Sequence, residues 1–188
     1  EQLGYQPESL IQAIETTNLT PYEILQKAGY TRKLTNPVEF YKNNFGLQKI
    51  FRYIQTHPDM DHLRGLVALR VSGIGITNFW DTKHTKTQDD FWQNDEAEWA
   101  EYLKHRKGER SSKILNLYRG HSGKFYNEHP EPDQEGDGLY LLAPTPELTA
   151  EANRTGKWNN HSYVLLFIYK GVRIILGGDA ESAVWDSI

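Results

Sequence analysis

Apolar residues in this chain fall into two kinds of run, and the two kinds alternate. Some recur at helical spacing and some lie side by side as in a buried strand. Leu10, Ile11 and Ile14 predict a helix over Pro7 to Thr16, with proline suited to its first turn. Thr20-Pro21 opens a second short helix that ends at Ala28-Gly29. Asn36-Pro37 opens a third, carrying Val38, Phe40 and Tyr41 and closed by Gly46. Lys49 to Gln55 reads as a strand, because Ile50-Phe51-Arg52-Tyr53-Ile54 is aromatic and β-branched. After the polar stretch Thr56 to Asp61, Leu63, Leu66, Val67 and Ala68 mark a helix beginning around Asp61.

The same alternation continues. Gly73 to Thr77 reads as a short strand, and Asp89 to Arg106 as a long helix with Trp92, Trp99, Tyr102 and Leu103 along it. The heptad spacing of Trp92 and Trp99 favours core packing. Ile114 to Tyr118 is a strand or a helix end, and His121 to Gly138 is loop. Leu139 to Leu142 is a strand and Pro146 to Asn153 a helix. Ser162 to Tyr169 and Val172 to Leu176 are apolar strands joined at Lys170-Gly171 in a tight hairpin, and Glu181 to Trp185 begins a last helix. Strands interleaved with helices predict an α/β or α+β fold, as a single domain over 1–188.

Composition narrows the classes. The 188 residues are 38% hydrophobic and 24% charged with a net charge of −4, enough for a packed core and without the basic footprint of a nonspecific nucleic-acid binder. No apolar run approaches the ~20 residues of a membrane span. Glu1-Gln2-Leu3-Gly4 has neither the basic region nor the apolar core of a secretory leader, so the expected location is cytoplasmic. The absence of cysteine excludes disulfides, thiolate metal sites and cysteine nucleophiles. N-x-[ST] triplets at Asn18, Asn153 and Asn160 read as chance matches.

The chemistry concentrates in Thr56-His57-Pro58-Asp59-Met60-Asp61-His62, directly after a strand and before a helix. Imidazole nitrogen and carboxylate oxygen are ligands for zinc, iron or manganese, and an irregular turn at a strand end lets ligands converge. Asp179 is a second candidate ligand. It follows the apolar strand Val172 to Leu176 and two glycines that permit a sharp turn and a close approach. The competing role for Asp179 is N-cap of the next helix.

His57-Pro58-Asp59-Met60-Asp61-His62, followed by Leu63-Arg64-Gly65-Leu66, resembles the HxHxDHxxG signature of the metallo-β-lactamase superfamily. Asn160-His161-Ser162-Tyr163-Val164-Leu165 and Gly171 to Glu181 resemble the segment that carries that superfamily's bridging aspartate. The branch most similar in pattern is the hydrolase domain of ComEC, a DNA-uptake protein, with its soluble relatives. The likeness covers roughly Lys49 to Val71 and Leu139 to Val184.

The resemblance implies an αββα sandwich with one or two divalent ions at one edge of the paired sheets, zinc first and manganese or iron as alternatives. His57 and Asp59 would bind one ion, Asp61 and His62 a second, and Asp179 would bridge. Asp61 would also orient the nucleophilic water or accept its proton. The implied activity is metal-dependent hydrolysis, first of a phosphodiester in a nucleic acid or nucleotide. The alternatives are a lactone, amide or thioester hydrolase, or a non-catalytic module of a larger assembly. The pattern departs from the signature in three ways. Asp59 stands where histidine is commonest. The third-motif histidine falls on His84 or His121 or is missing. The opening hairpin and last ligand segment have no counterpart within Glu1 to Ile188, which implies a chain incomplete at both ends, with open edge strands and a larger protein or partner chain completing it. His105, His129 and His161 read as structural or solvent-facing, and Trp80 as a pocket wall. Lys83, Lys86, Lys104, Arg106, Lys107 and Arg110 read as a solvated charged face.

Overall fold

The computed structural model describes residues 36–87, 95–127 and 138–188. The chain divides into two units, 1–40 and 41–188, and the core and candidate site belong to the second. The helices expected over Pro7 to Thr16 and from Thr20-Pro21 lie outside the described residues.

Helix α1, Pro37–Phe45, starts as the sequence suggests, with the Asn36 side chain accepting from the Val38 amide at 3.0 Å. Strand β1, Ile50–Ile54, runs parallel to β2, Ile76–Trp80, and β2 runs parallel to β3, Lys113–Leu115. The second sheet is antiparallel, in the order β4, Leu139–Ala143, β5, Val164–Tyr169, and β6, Val172–Leu176. Lys170 and Gly171 have φ of 49° and 78°, the pair of positive values that a two-residue type I′ hairpin needs. Helix α5, Pro146–Thr155, is capped by the Thr145 hydroxyl, which accepts from the Leu148 amide. A parallel sheet with its helices beside an antiparallel sheet makes a mixed α+β architecture.

Two elements differ from the sequence expectation. The helix expected from Asp61 is two pieces, α2, Met60–Leu63, and α3, Leu66–Ser72. They break at Gly65, with φ of 112°. The Glu98 carboxylate, reaching over from α4, Glu96–Arg106, accepts from the Gly65 and Val67 amides at 3.2 and 3.0 Å. That cap comes from a distant segment and leaves no local signal. Strand β2 lies three residues later than Gly73 to Thr77, because the Gly73 amide bonds the Arg70 carbonyl to close α3. Its end then carries Phe79 and Trp80 into the core, Trp80 at 1% exposure. Trp80 also lines a cavity with Phe51, Arg52, Phe125 and Tyr126, and that cavity includes none of His57, His62 and Asp179. Helix α4 is described only from Glu96, since 88–94 lie outside the described residues.

Three apolar clusters among the described residues hold the unit together, the smallest being Ala143, Val164 and Val184. Met60, Leu63, Leu66, Ile76, Phe79, Trp99 and Tyr102 pack α2, α3 and α4 on the parallel sheet. Trp80, Leu117, Leu139, Leu141, Tyr163 and Leu165 draw on both sheets. Fully burying a side chain such as Leu63 or Phe79 contributes about 1.5–3 kcal/mol. The Tyr163 amide donates to the Thr56 carbonyl at 2.9 Å, tying the segment before β5 to the segment after β1. Among the described strands β6 has a neighbour on one side only, and all five of its residues are exposed. No helix among the described residues is long and apolar enough to cross a membrane.

Candidate metal centre

Two chain segments build the site. β1 delivers Thr56 and His57 at its C-terminal end, α2 places His62, and the turn after β6 places Asp179. One ligand atom from each of His57, His62 and Asp179 lies within 4.8 Å of the others. His62 Nε2 is 3.1 Å from Asp179 Oδ1, and the His57 and His62 rings are 4.2 Å apart. Nε2 of fully buried His57 has no hydrogen-bond partner, the state of a ligand atom that awaits a cation. Two imidazoles and a carboxylate form a donor set that suits zinc, and these three residues fit a metal ion.

The other sequence-predicted residues sit around this trio. Asp61 is 69% exposed, with Oδ2 3.8 Å from His62 Nε2 at the rim. Asp59 N-caps α2 by position but makes no cap bond; its carboxylate pairs with the Lys86 ammonium and lies 3.6 Å from His57 Nε2. The facing His57 side chain and then Lys86 hold the Asp59 carboxyl down at about 2, against the opposing effect of burial. Asp179 does not cap the last helix, α6, Ser182–Trp185; Glu181 takes that position.

Neither third-motif candidate joins the trio. The Lys86 amide donates to Nδ1 of His84 at 3.1 Å, and its Nε2 lies 2.6 Å from the Tyr102 hydroxyl and 2.9 Å from Arg106 Nη1. His121 is exposed, with Nδ1 accepting from the Tyr118 amide at 3.4 Å. His161 is fully buried and His105 is inside too, against Phe79, while His129 lies outside the described residues.

Sequence reasoning missed the supporting residues. Thr56 Oγ1 lies 3.1 Å from His57 Nδ1 and 3.3 Å from His62 Nδ1. In the tautomer that ligation through Nε2 requires, both Nδ1–H groups donate to this one oxygen, which has two lone pairs. Ser162 Oγ accepts from the Asp179 amide at 3.2 Å and lies 3.4 Å from His57 Nδ1. The basic residues assigned to a solvated face divide. Lys86 is 7% exposed against Asp59, and Arg106 Nε pairs at 2.8 Å with Oδ2 of buried Asp81. Arg110 pairs with buried Glu101. The triplets at Asn153 and Asn160 carry inward-working asparagines: Asn153 bonds Thr85 and the Lys83 carbonyl, and Asn160 is buried.

Gly178 shows how tight the assembly is. It has φ of +53°, and a Cβ there would meet Ser162 Oγ and Thr56 Cβ, each at 3.1 Å. Gly178→Ala is expected to cost about 1–2 kcal/mol in urea unfolding from the left-handed backbone alone. It should also displace Asp179, lowering metal affinity in a chelator competition. An unchanged affinity would place Asp179 outside the ligand set.

The support is acid-labile. Burial, with Arg106 nearby, lowers His84 to about 2 and His161 to about 4. In the unfolded chain both titrate near ~6.5, so the stability they contribute is complete above ~6.5 and is lost as pH falls toward the folded values. Burial raises Asp81 to about 6 against the lowering effect of Arg106, so its contribution runs the other way and is lost as pH rises from ~3.9 to about 6. Two histidines outweigh one aspartate. Stability should fall by roughly 1–3 kcal/mol between pH 6.5 and 5. Urea midpoints at the two pH values measure this, and a flat profile contradicts it.

Comparison of the chain with protein-family models, with curated proteins and with solved structures finds no match.

Proposed function

We propose that this chain is a metal-dependent hydrolase acting on a phosphodiester of a nucleic acid or nucleotide. The observation that carries the reading is the convergence of His57, His62 and Asp179 around a buried imidazole nitrogen that makes no hydrogen bond. These three residues would hold a divalent ion, zinc first and manganese or iron as alternatives. Such an ion, when bound, polarises a phosphoryl oxygen and makes water a nucleophile near neutral pH. The protein's own part is position and proton transfer. Thr56 fixes both imidazole tautomers, Ser162 holds the Asp179 backbone, and exposed Asp61 at the rim accepts the proton that water loses. Two three-stranded sheets that share an apolar cluster, with the ligands at strand ends, support the metallo-β-lactamase-like sandwich that the two motifs suggest. The phosphodiester rests on the resemblance to the ComEC-like branch.

The test is turnover of bis(p-nitrophenyl) phosphate by the chelator-stripped chain with added zinc or manganese. Activity should require the metal, and Asp61→Ala should abolish it while metal stays bound and the circular dichroism is unchanged. Turnover of a lactone or thioester ester substrate instead would move the reading to that substrate class. Failure to bind any stoichiometric metal would leave a non-catalytic module.

A further inference from the structure

Asp59 is the one sequence-predicted ligand whose carboxylate already faces a cation. The Lys86 ammonium contacts Asp59 Oδ1, and the Lys86 side chain is 7% exposed while that of Asp59 is 28% exposed. The lysine is held in place along its length. Its amide donates to His84 Nδ1, and its ammonium lies 5.8 Å from the centre of the Trp158 ring. Asp59 is released from the usual duty of its position, since it N-caps α2 without bonding any amide there. The three residues whose ligand atoms do converge, His57, His62 and Asp179, do not include it.

We propose that Lys86 is the built-in cation of Asp59, so that Asp59 stays out of the ligand set and the centre holds a single ion on His57, His62 and Asp179. The inference rests on the metal-hydrolase reading and fixes the number of ions within it. Two considerations carry it. An ammonium buried against one carboxylate satisfies that carboxylate's charge, leaving little attraction for a dication. A second dication bound through Asp59 would also sit beside the ammonium, where low exposure leaves the like-charge repulsion poorly screened. Lys86 is thus a positioning residue that keeps Asp59 off the ion.

The experiment strips the full chain with a chelator, adds zinc chloride, removes the excess by gel filtration and counts zinc by mass spectrometry. A chelator competition gives the affinity. The wild-type chain should hold about one zinc per chain. Asp59→Asn should hold the same, with affinity within about threefold. Lys86→Gln, with Asp59 now unpaired and its Oδ2 3.6 Å from His57 Nε2, should still hold about one, bound at least about tenfold more tightly because Asp59 joins the three ligands. Two zinc ions in the wild type would overturn the inference and leave the hydrolase reading standing. None in the wild type would overturn the metal reading itself, and the inference with it. Loss of zinc in Asp59→Asn would make Asp59 a ligand, and wild-type affinity in Lys86→Gln would show that the lysine excludes nothing; either result overturns the proposal. If Lys86→Gln fails to fold, the wild-type count and Asp59→Asn decide the question.

Discussion

Under the proposed metal-dependent hydrolysis, His62→Ala is expected to weaken zinc binding by at least about 100-fold and to take turnover of bis(p-nitrophenyl) phosphate to background, with little effect on the fold. His62 is the hinge of the site. Its Nε2 faces Asp179 at 3.1 Å, its Nδ1 lies 3.3 Å from Thr56, and its ring is 4.2 Å from that of His57. Removing the ring leaves one imidazole and one carboxylate, too few for a tetrahedral ion to hold against water. Stability should change by less than about 1 kcal/mol, because the side chain is 28% exposed and Asp179 is 44% exposed and can hydrate. Zinc titration beside a urea melt separates the two effects. Wild-type affinity in the variant would show that the cluster is not the metal centre, and a lost fold would show that His62 is a structural residue.

Arg106→Leu should have the largest effect on stability, about 3–5 kcal/mol, because it strands a buried charge. Asp81 is 1% exposed, and Arg106 Nε lies 2.8 Å from its Oδ2. The Tyr102 hydroxyl also donates to this carboxylate, but one neutral donor does not replace a guanidinium. Arg106 further donates from Nη2 to the His84 carbonyl at 3.2 Å, so its loss also loosens the loop that carries Lys86. The deficit should shrink in acid, where Asp81, with its pKa already raised to about 6, takes up a proton. Asp81→Asn in the Arg106→Leu background should recover part of the loss in urea unfolding. Strict additivity of the two changes would mean that the pair is not coupled.

Local signals made much of the fold legible. Asn36-Pro37, Thr145-Pro146 and Lys170-Gly171 each state their structure within a few residues, and α1, α5 and the β5–β6 hairpin follow them. The break between α2 and α3 was not legible, since the capping carboxylate comes from Glu98, about thirty residues away. The site divides in the same way. His57, Asp59, Asp61 and His62 stood out because a strand end dense in histidine and carboxylate is rare in a merely structural turn, and Asp179 because it follows an apolar strand and two glycines; only the fold separates the trio from Asp59 and Asp61. Thr56 and Ser162 did not, because a hydroxyl becomes an orienting group only when two segments meet over it. Lys86 and Arg106 looked like solvent-facing charge, because only the fold reveals the acidic residue that faces each.

The Thr56–Tyr163 backbone bond has a consequence for the order of folding. The two halves of the centre are remote in sequence, and Ser162 and His57 alone are 105 residues apart. Closing so long a loop is a late and entropically costly event, reached after the local helices and the hairpin have formed. An ion that binds only the closed state then acts as a latch, lengthening the native lifetime by mass action, and chelator should shorten that lifetime without altering the rate at which the separate sheets form.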